Sequence, residues 1–509
     1  MHVEEMDVND PQALLNALVE LREDVQRRAT KTVDGWRPWI AREEFLPSAQ
    51  NLAAYLALRR YDLRPLQAAL MPRGLSSLGR LESRVEATLD AVIGTLGAAA
   101  GQADQGMPGP PQESFFEGEH LLRKHTEEVF GREHKHRRVR IMVTLPADAA
   151  GDRALTRDLL LAGTDCFRIN CAHDDAAAWE RMVENIRSAE AETGRPATIS
   201  MDLAGQKPRT MEVVLPEPPR RLRAGDRILL TPGVPEPSDS VEFQARCSLP
   251  QVLDQLRPGC PVTLDDGKVS TEVEGVDQAG AVLLVTATRP KGDNLQAARG
   301  LNFPGTRLAL PPLTEKDLCD LDFVAARADI VGFSFVQTPD DITQLQGDLE
   351  RRLEGRPLPP LMAKIETQHA VRNLPELIVR AAGRQPFAVM IARGDLAVEI
   401  GYRRLAEIQE EIMWICEAAH VPVVWATEVL ERLTKKGTPN RAEVTDAAMA
   451  ERAECVMLNK GPHIIPAVTL LDDVLTRMQG HVTKKTPQLR ALRSWRHVAA
   501  GQDAAPKPG

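Results

Sequence analysis

Two short strings in the second half of the chain hold its densest chemistry: Ala363-Lys364-Ile365-Glu366 and Ile391-Ala392-Arg393-Gly394-Asp395-Leu396. Each is an apolar, strand-like run that ends in charge, and between them they bring one lysine and two carboxylates. Charged groups in apolar surroundings are costly unless they pair or bind a metal. Two chemistries fit. One is an ordinary ion pair at two strand ends. The other is a site for a hard divalent cation, which suits one or two carboxylates plus oxygens from a phosphorylated substrate. A lysine beside such an ion stabilises charge developing on a transferred phosphoryl group.

The elements that must position these residues are legible in the pattern. From about residue 139 onward, β-rich runs at 139–145, 166–170, 197–203, 329–336, 361–366, 387–392, 422–427 and 455–458 alternate with helical stretches such as 175–191, 339–353 and 405–418. Eight strands with intervening helices predict an α/β fold, a (β/α)8 barrel. One interval breaks the alternation: residues 213–312 contain no convincing long helix, but β-rich runs at 227–230 and 281–288 and the turns Pro258-Gly259 and Asp266-Gly267. This predicts a small all-β domain inserted after strand three, placed to act as a lid over the strand C-termini. The expected division is a helical N-terminal extension and linker at 1–112, a barrel at 113–212 and 313–480, the inserted domain at 213–312 and a polar tail at 481–509. Within the extension, apolar residues recur at helical spacing at Leu14, Leu15, Leu18 and Leu21 and again at Val85, Leu89 and Val92. Residues 97–112, rich in Gly, Ala, Pro and Gln, read as a flexible linker.

On that architecture the charged residues fall at strand C-termini. Strand two ends in Arg168-Ile169-Asn170 with His173 following, and strand three ends near Asp202 and runs into Gly205-Gln206-Lys207-Pro208-Arg209. Strand four carries Ser334, strand five Lys364 and Glu366, strand six Arg393 and Asp395, and strand seven Thr427. A barrel core built only for stability needs branched apolar residues in these layers. His125, His134 and His136 lie in a polar stretch without metal-ligand spacing, and read as a solvated face.

Composition limits the alternatives. A chain of 509 residues exceeds one compact core. Its 43% hydrophobic and 27% charged content is that of an ordinary globular protein. A net charge of −9 argues against general nucleic-acid binding. No apolar run reaches the roughly 20 residues of a membrane helix, and the acidic start Met1-His2-Val3-Glu4-Glu5 is no secretory signal. The seven cysteines are scattered without a C-x-x-C pair, as expected of reduced thiols in a cytoplasmic enzyme.

Several longer motifs together resemble pyruvate kinase. They are Met362-Ala363-Lys364-Ile365-Glu366, Ile391-Ala392-Arg393-Gly394-Asp395-Leu396-Ala397-Val398-Glu399, Ala426-Thr427-Glu428-Val429-Leu430-Glu431 and Asn440-Arg441-Ala442-Glu443-Val444-Thr445-Asp446. To these is added Gly300-Leu301-Asn302-Phe303-Pro304-Gly305, followed by Leu310-Pro311-Pro312-Leu313-Thr314-Glu315-Lys316-Asp317. The resemblance implies phosphoryl transfer from phosphoenolpyruvate to ADP, giving pyruvate and ATP. By the same resemblance Glu366 and Asp395 would hold Mg2+ or Mn2+, and Lys364 would stabilise the phosphoryl group in flight. Arg168, helped by Arg209, would bind phosphate oxygens, and Thr427 would sit over the enolate carbon. The backbone of Ala392, Arg393, Gly394 and Asp395 would face the substrate carboxylate at a helix start, where free N–H groups favour anions. Asn170, His173 and Arg299 would lie on the nucleotide side, and Asn170, Asp202 and Lys207 in the monovalent-cation region.

The chain departs from the family pattern in places. Ala172 and Leu203 stand where the family carries a serine and a threonine that help bind potassium, and Lys207 stands where potassium-independent members carry lysine. The resemblance therefore implies potassium-independent activity. Ala204 replaces a common lysine, Leu145-Pro146-Ala147 lacks the usual glycine, and Gln337 replaces an expected arginine. Asn459-Lys460-Gly461-Pro462 stands in place of a serine-glycine-glutamate segment that belongs to proton delivery. No counterpart of the family's C-terminal effector domain is recognised, so sugar-phosphate activation of that kind is not expected, and the N-terminal helices or the barrel would supply any homo-oligomer contact. Two other readings use the same residues. One is a metal-dependent lyase acting on pyruvate or oxaloacetate, and the other a catalytically weakened regulatory relative. Pyruvate release from oxaloacetate without ADP would mark the first, and absence of turnover the second.

Overall fold

The computed structural model describes residues 10–101, 109–237, 241–306 and 308–487. Eight parallel strands close a barrel: β1 (Arg140–Thr144), β2 (Cys166–Asn170), β3 (Thr198–Asp202), β4 (Ile330–Phe333), β5 (Leu361–Ile365), β6 (Phe387–Ala392), β7 (Val423–Ala426) and β8 (Cys455–Leu458). Each pairs with its neighbour in sequence, and β8 closes on β1 with Val143 opposite Leu458. The eight runs read from the sequence are these eight strands. They are buried on both faces, which is why they read as nearly continuous apolar runs and not as alternating ones.

Several helices between the strands start where side chains satisfy their free N–H groups. Thr338 and Asp341 form a capping box at the helix Pro339–Leu353, and Thr314 with Asp317 does the same at Glu315–Arg327. The barrel interior at the strand N-termini is filled by Met142, Cys166, Ile330, Met362, Met390 and Cys455, and is plugged by Val129 and Phe130 from the end of the helix Gln112–Phe130. That plug leaves chemistry to the opposite, C-terminal end.

His125, on the plugging helix, is buried and bonds the carbonyl of His420 at 2.7 Å. The expected solvated histidine face is thus confined to His134 and His136, whose Nδ1 atoms lie 2.9 Å apart. The reason is that His125 falls on the buried side of an amphipathic helix that includes Leu122 and Val129.

Between β3 and β4 lies a separate sheet. Its described strands run from Thr210–Val214 at one edge to Leu301–Asn302 at the other, around a core of Ile228, Leu230, Phe243, Val262, Val273 and Leu283. The turn Asp265-Asp266-Gly267 has positive φ at all three residues. At the other end of the barrel, the helices Pro11–Trp36, Leu46–Leu58 and Val85–Ala99 share one apolar cluster with the outer barrel helices. Asn51 stitches them to the barrel, since its Nδ2 donates to the carbonyls of Glu82 and Ala418 and its Oδ1 accepts from Val85 N–H. The centre of the expected linker, 102–108, and the end of the expected polar tail, 488–509, lie outside the described residues. Before that end, Val482–Thr483 pairs with Thr486–Pro487 as a short hairpin. Among the described residues no helix is long and apolar enough to cross a membrane, and all seven cysteines are free thiols.

Candidate active site

Parallel strands that all exit at one end of a closed barrel bring residues distant in sequence to one rim. Lys364, in β5, is the hub. Its Nζ stands 2.9 Å from Glu366 Oε1, donates to Ser334 Oγ at 2.9 Å and lies 3.8 Å from Asp202 Oδ2. Ser334 in turn donates to the Leu203 carbonyl at 2.7 Å, which ties the ends of β3 and β4 together. Arg168 donates through Nε to Asp202 Oδ2 at 2.8 Å and through Nη1 to Thr144 Oγ1 at 3.1 Å. Asp202 is fully buried and is shared by two cations. Its space comes from Gly332 in β4, where a Cβ would stand 2.1 Å from Asp202 Oδ1.

Glu366 is also buried, and its Oε2 accepts the Phe335 N–H at 2.6 Å. That bond is available because Phe335 adopts a φ of 56°. Burial pushes the Glu366 carboxyl above its usual range, Lys364 pulls it back, and the nearby charge of Asp395 pushes it up again. Two neighbouring carboxylates at one rim fit a hard divalent ion, which prefers oxygen ligands. Among the described residues no group of three or more His, Cys, Asp or Glu side chains is arranged to hold a metal alone. The further ligands would be substrate oxygens and water.

Asp395 enters from the helix Arg393–Ile400, which starts directly at the end of β6. Its Oδ1 lies 2.5 Å from Lys207 Nζ, and the same ammonium lies 3.3 Å from Asp266 of the inserted domain. Burial opposes the charge on Lys207, yet Asp395 outweighs it and holds the lysine above its usual range. One cation therefore spans the barrel rim and the lid turn.

Thr427 follows β7 with a φ of 64°, unusual for a β-branched residue, and Glu428 and Leu430 are also left-handed. Such strain costs about 1–3 kcal/mol per residue and persists where its surroundings impose it. Here Thr427 Oγ1 accepts the Gly394 N–H at 2.8 Å, which sets the hydroxyl against the start of the Asp395 helix. Ala392 is the N-cap residue and provides no side-chain cap.

Not every expected residue turns its side chain to this centre. The Arg393 guanidinium bonds Asp446 at 2.5 and 2.8 Å and the carbonyls of Ala426 and Thr427, and stacks over Trp425. It braces the β7 exit, and only the Arg393 backbone remains at the helix start. Arg209 is tied to the base of the inserted domain, with Nη1 on the Ala298 carbonyl and its N–H on Ser248 Oγ. Arg299 is exposed and pairs with Asp265 at 3.4 Å. Asn170 Oδ1 accepts the Ala172 N–H within its own turn. His173 is exposed, and its imidazole is held below the usual range first by partial desolvation and then by the charge of Lys460. Thr144, Gly332 and Phe335 were missed by sequence reasoning: an apolar strand with one threonine, a strand glycine and a loop phenylalanine give no local sign of a polar role.

The sequence model of the family described as pyruvate kinase, barrel domain, matches residues 136–462. The chain is 30% identical to pyruvate kinase 2 of Synechocystis sp. over 350 residues, covering 67% of this chain and 57% of that protein. It is 34% identical to the pyruvate kinase of Methylorubrum extorquens over 335 residues, covering 64% of each. Among solved structures, a pyruvate kinase from Cryptosporidium parvum superposes with a TM-score of 0.61 at 25% identity, covering 70% of this chain and 73% of that one. The chain thus spans less than two thirds of the length of those two curated relatives. With the barrel, the inserted sheet and the family match in agreement, this chain belongs to the pyruvate kinase family.

Proposed function

We propose that this protein transfers the phosphoryl group of phosphoenolpyruvate to ADP, giving pyruvate and ATP, and that it does so without potassium. The observation that carries the reading is the convergence of Lys364, Glu366 and Asp395 at the rim of the barrel, under a lid turn linked to the rim by Lys207. Glu366 and Asp395 would hold Mg2+ or Mn2+, which when bound supplies positive charge to the carboxylate and phosphate oxygens of the substrate. Lys364 is held by Glu366, Ser334 and Asp202, so its ammonium is positioned before substrate arrives. A preorganised cation stabilises a charge-spread phosphoryl group without reorganising during the reaction.

Arg168 keeps donors beyond those used on Asp202 and Thr144, and these suit the oxygens of the phosphate. The substrate carboxylate would face the N–H groups at the start of the Arg393–Ile400 helix. Thr427, set against that start, stands on the route by which the enolate carbon gains a proton. Lys207 supplies a fixed ammonium next to Asp395, while the side chains of Ala172 and Leu203 offer no oxygen ligand, so a monovalent ion has fewer groups to bind and its charge is already present.

The test is a coupled assay with phosphoenolpyruvate, ADP and magnesium. Pyruvate and ATP formation at equal rates in sodium and potassium supports the reading. Pyruvate from oxaloacetate with no need for ADP would replace it with a lyase, and no turnover on either substrate would leave a regulatory relative.

A further inference from the structure

The lid joins the barrel through two chain crossings that run side by side. Arg209 bridges Gly300 in antiparallel sense, the Leu301 N–H donates to the Pro208 carbonyl at 2.8 Å, and the Thr210 N–H donates to the Arg299 carbonyl at 2.8 Å. The same antiparallel register brings Gln206 of the entering segment level with Phe303 of the returning one. Beside them stands the helix Arg393–Ile400, and a Cβ on Gly267 of the lid turn would lie 3.6 Å from its Val398. One turn beyond Asp395 on that helix, Glu399 accepts hydrogen bonds from the Asn302 side chain and the Phe303 N–H.

A cavity of about 220 Å3 opens where these three segments meet. It has room for roughly seven water volumes. Part of its wall is apolar, from Leu301, Phe303 and Leu310, and none of Lys364, Arg168, Asp202 and Thr427 lines it. The polar part is short of donors. Asn302 is 4% exposed; its amide nitrogen is spent on Glu399, and its Oδ1 has no partner among the described residues. Gln206 turns Nε2 to the Leu313 carbonyl at 3.4 Å and leaves a buried Oε1 equally unpartnered. Buried acceptors without a donor are uncommon, and each calls for an explanation. Glu399 makes no ion pair among the described residues, since Lys207 is engaged by Asp395 and Asp266. Burial pushes its carboxyl up to about 7 against the hydrogen bond from Asn302, as expected of an acid short of counter-charge. Arg372, the one arginine of the lining, is exposed to solvent, which screens it.

We propose that this cavity binds a small primary amine as its ammonium ion, and that the bound amine braces the hinge of the lid. An ammonium carries three N–H donors and no acceptor, which matches the oxygens offered by Gln206, Asn302 and Glu399. A short carbon stem lies on Leu301, Phe303 and Leu310, the usual division of a small-molecule site into apolar wall and a few polar anchors. The three acceptors come from the entering segment, the returning segment and the helix of Asp395. One ligand therefore ties both hinge segments to that helix. The site uses none of the phosphotransfer groups and needs no turnover to be detected.

The test is calorimetric titration of the full chain with n-butylammonium chloride in saturating magnesium, together with amide hydrogen exchange. Wild type binds with a Kd on the order of 1 mM, as so small a ligand allows. n-Butanol, which lacks the charge, and tetramethylammonium, which lacks the donors, bind about tenfold more weakly. Glu399→Gln weakens butylammonium binding on the order of 10-fold, and Gln206→Met, which keeps the stem and deletes one acceptor, weakens it about fivefold. Exchange of the hinge amides Thr210 and Leu301 slows when the amine is bound. No binding by wild type, tetramethylammonium bound as well as butylammonium, or a folded Glu399→Gln protein that binds like wild type overturns the proposal. Should Glu399→Gln not fold, Gln206→Met and the tetramethylammonium comparison decide by the same standard. Binding that leaves exchange at Thr210 and Leu301 unchanged places the amine elsewhere and overturns it as well.

Discussion

Replacing Lys364 with methionine keeps most of the stem and deletes one charge from the centre of the rim. Asp202 retains Arg168 at 2.8 Å, whereas Glu366 retains only the Phe335 N–H at 2.6 Å among the described residues. Leaving a buried carboxylate without its cation costs about 3–5 kcal/mol of stability. The catalytic loss is of similar size. A unit charge at about 4 Å, with an effective dielectric constant of about 20, contributes about 4 kcal/mol. At about 1.4 kcal/mol per decade that is on the order of 10³-fold in kcat. Activity must therefore be measured on protein shown to be folded. Circular dichroism melts set a working temperature at which both proteins are native, and pyruvate formation is followed by a dehydrogenase-coupled assay. The expected result is a folded variant with a melting point below that of wild type, kcat reduced about 10³-fold and the KM for ADP little changed. A folded Lys364→Met protein within about tenfold of wild-type kcat would refute both the role of the lysine and the electrostatic argument behind it.

Three further outcomes follow from particular contacts. Lys207→Glu removes the ammonium 2.5 Å from Asp395 and puts a like charge there, so activity should become low in sodium and recover in potassium; equal rates in both salts for this variant would contradict the proposed role. Arg393→Lys replaces a fork that holds Asp446 and two carbonyls with a point charge, and should lower stability by about 2–3 kcal/mol in urea unfolding; an unchanged midpoint would show that the brace is dispensable. Burial lowers His420 to about 4, so the unfolded chain binds its proton first as pH drops, and the stability that comes from keeping it neutral is present above about 6.5 and lost as pH falls toward 4. The stability difference between wild type and His420→Asn should shrink across that window, while Glu417, pushed up to about 7, titrates in both proteins and cancels; a pH-independent difference would refute the assignment.

The parts of the fold that were legible are those whose signal is local. A strand buried on both faces must be apolar along its length, so β5 and β6 announce themselves, and the charged residues that end them mark the rim. The inserted domain was legible as a stretch with turn signals and no helical period. Arg393 shows where such reading stops. Its motif places it at the site, yet its guanidinium points to Asp446, 53 residues later in the chain, because that carboxylate and two carbonyls at the β7 exit satisfy its donors. His125 shows the same limit from the other side: a histidine in a polar run is buried because its helix plugs the barrel.

By itself the sequence determined the periodicities that specify eight buried strands, their connecting helices and an inserted sheet, and the residue types able to bind phosphate and a hard cation. Those are properties of spacing and side-chain chemistry. Only the tertiary structure decided which charges meet. Lys364 stands between Glu366 and Asp202, 162 residues earlier in the chain, and Lys207 joins Asp395 to the lid turn. Distances between groups depend on how the strands close and how the lid folds back. Because charge interactions fall with distance and grow in low dielectric, these decide the chemistry of the rim.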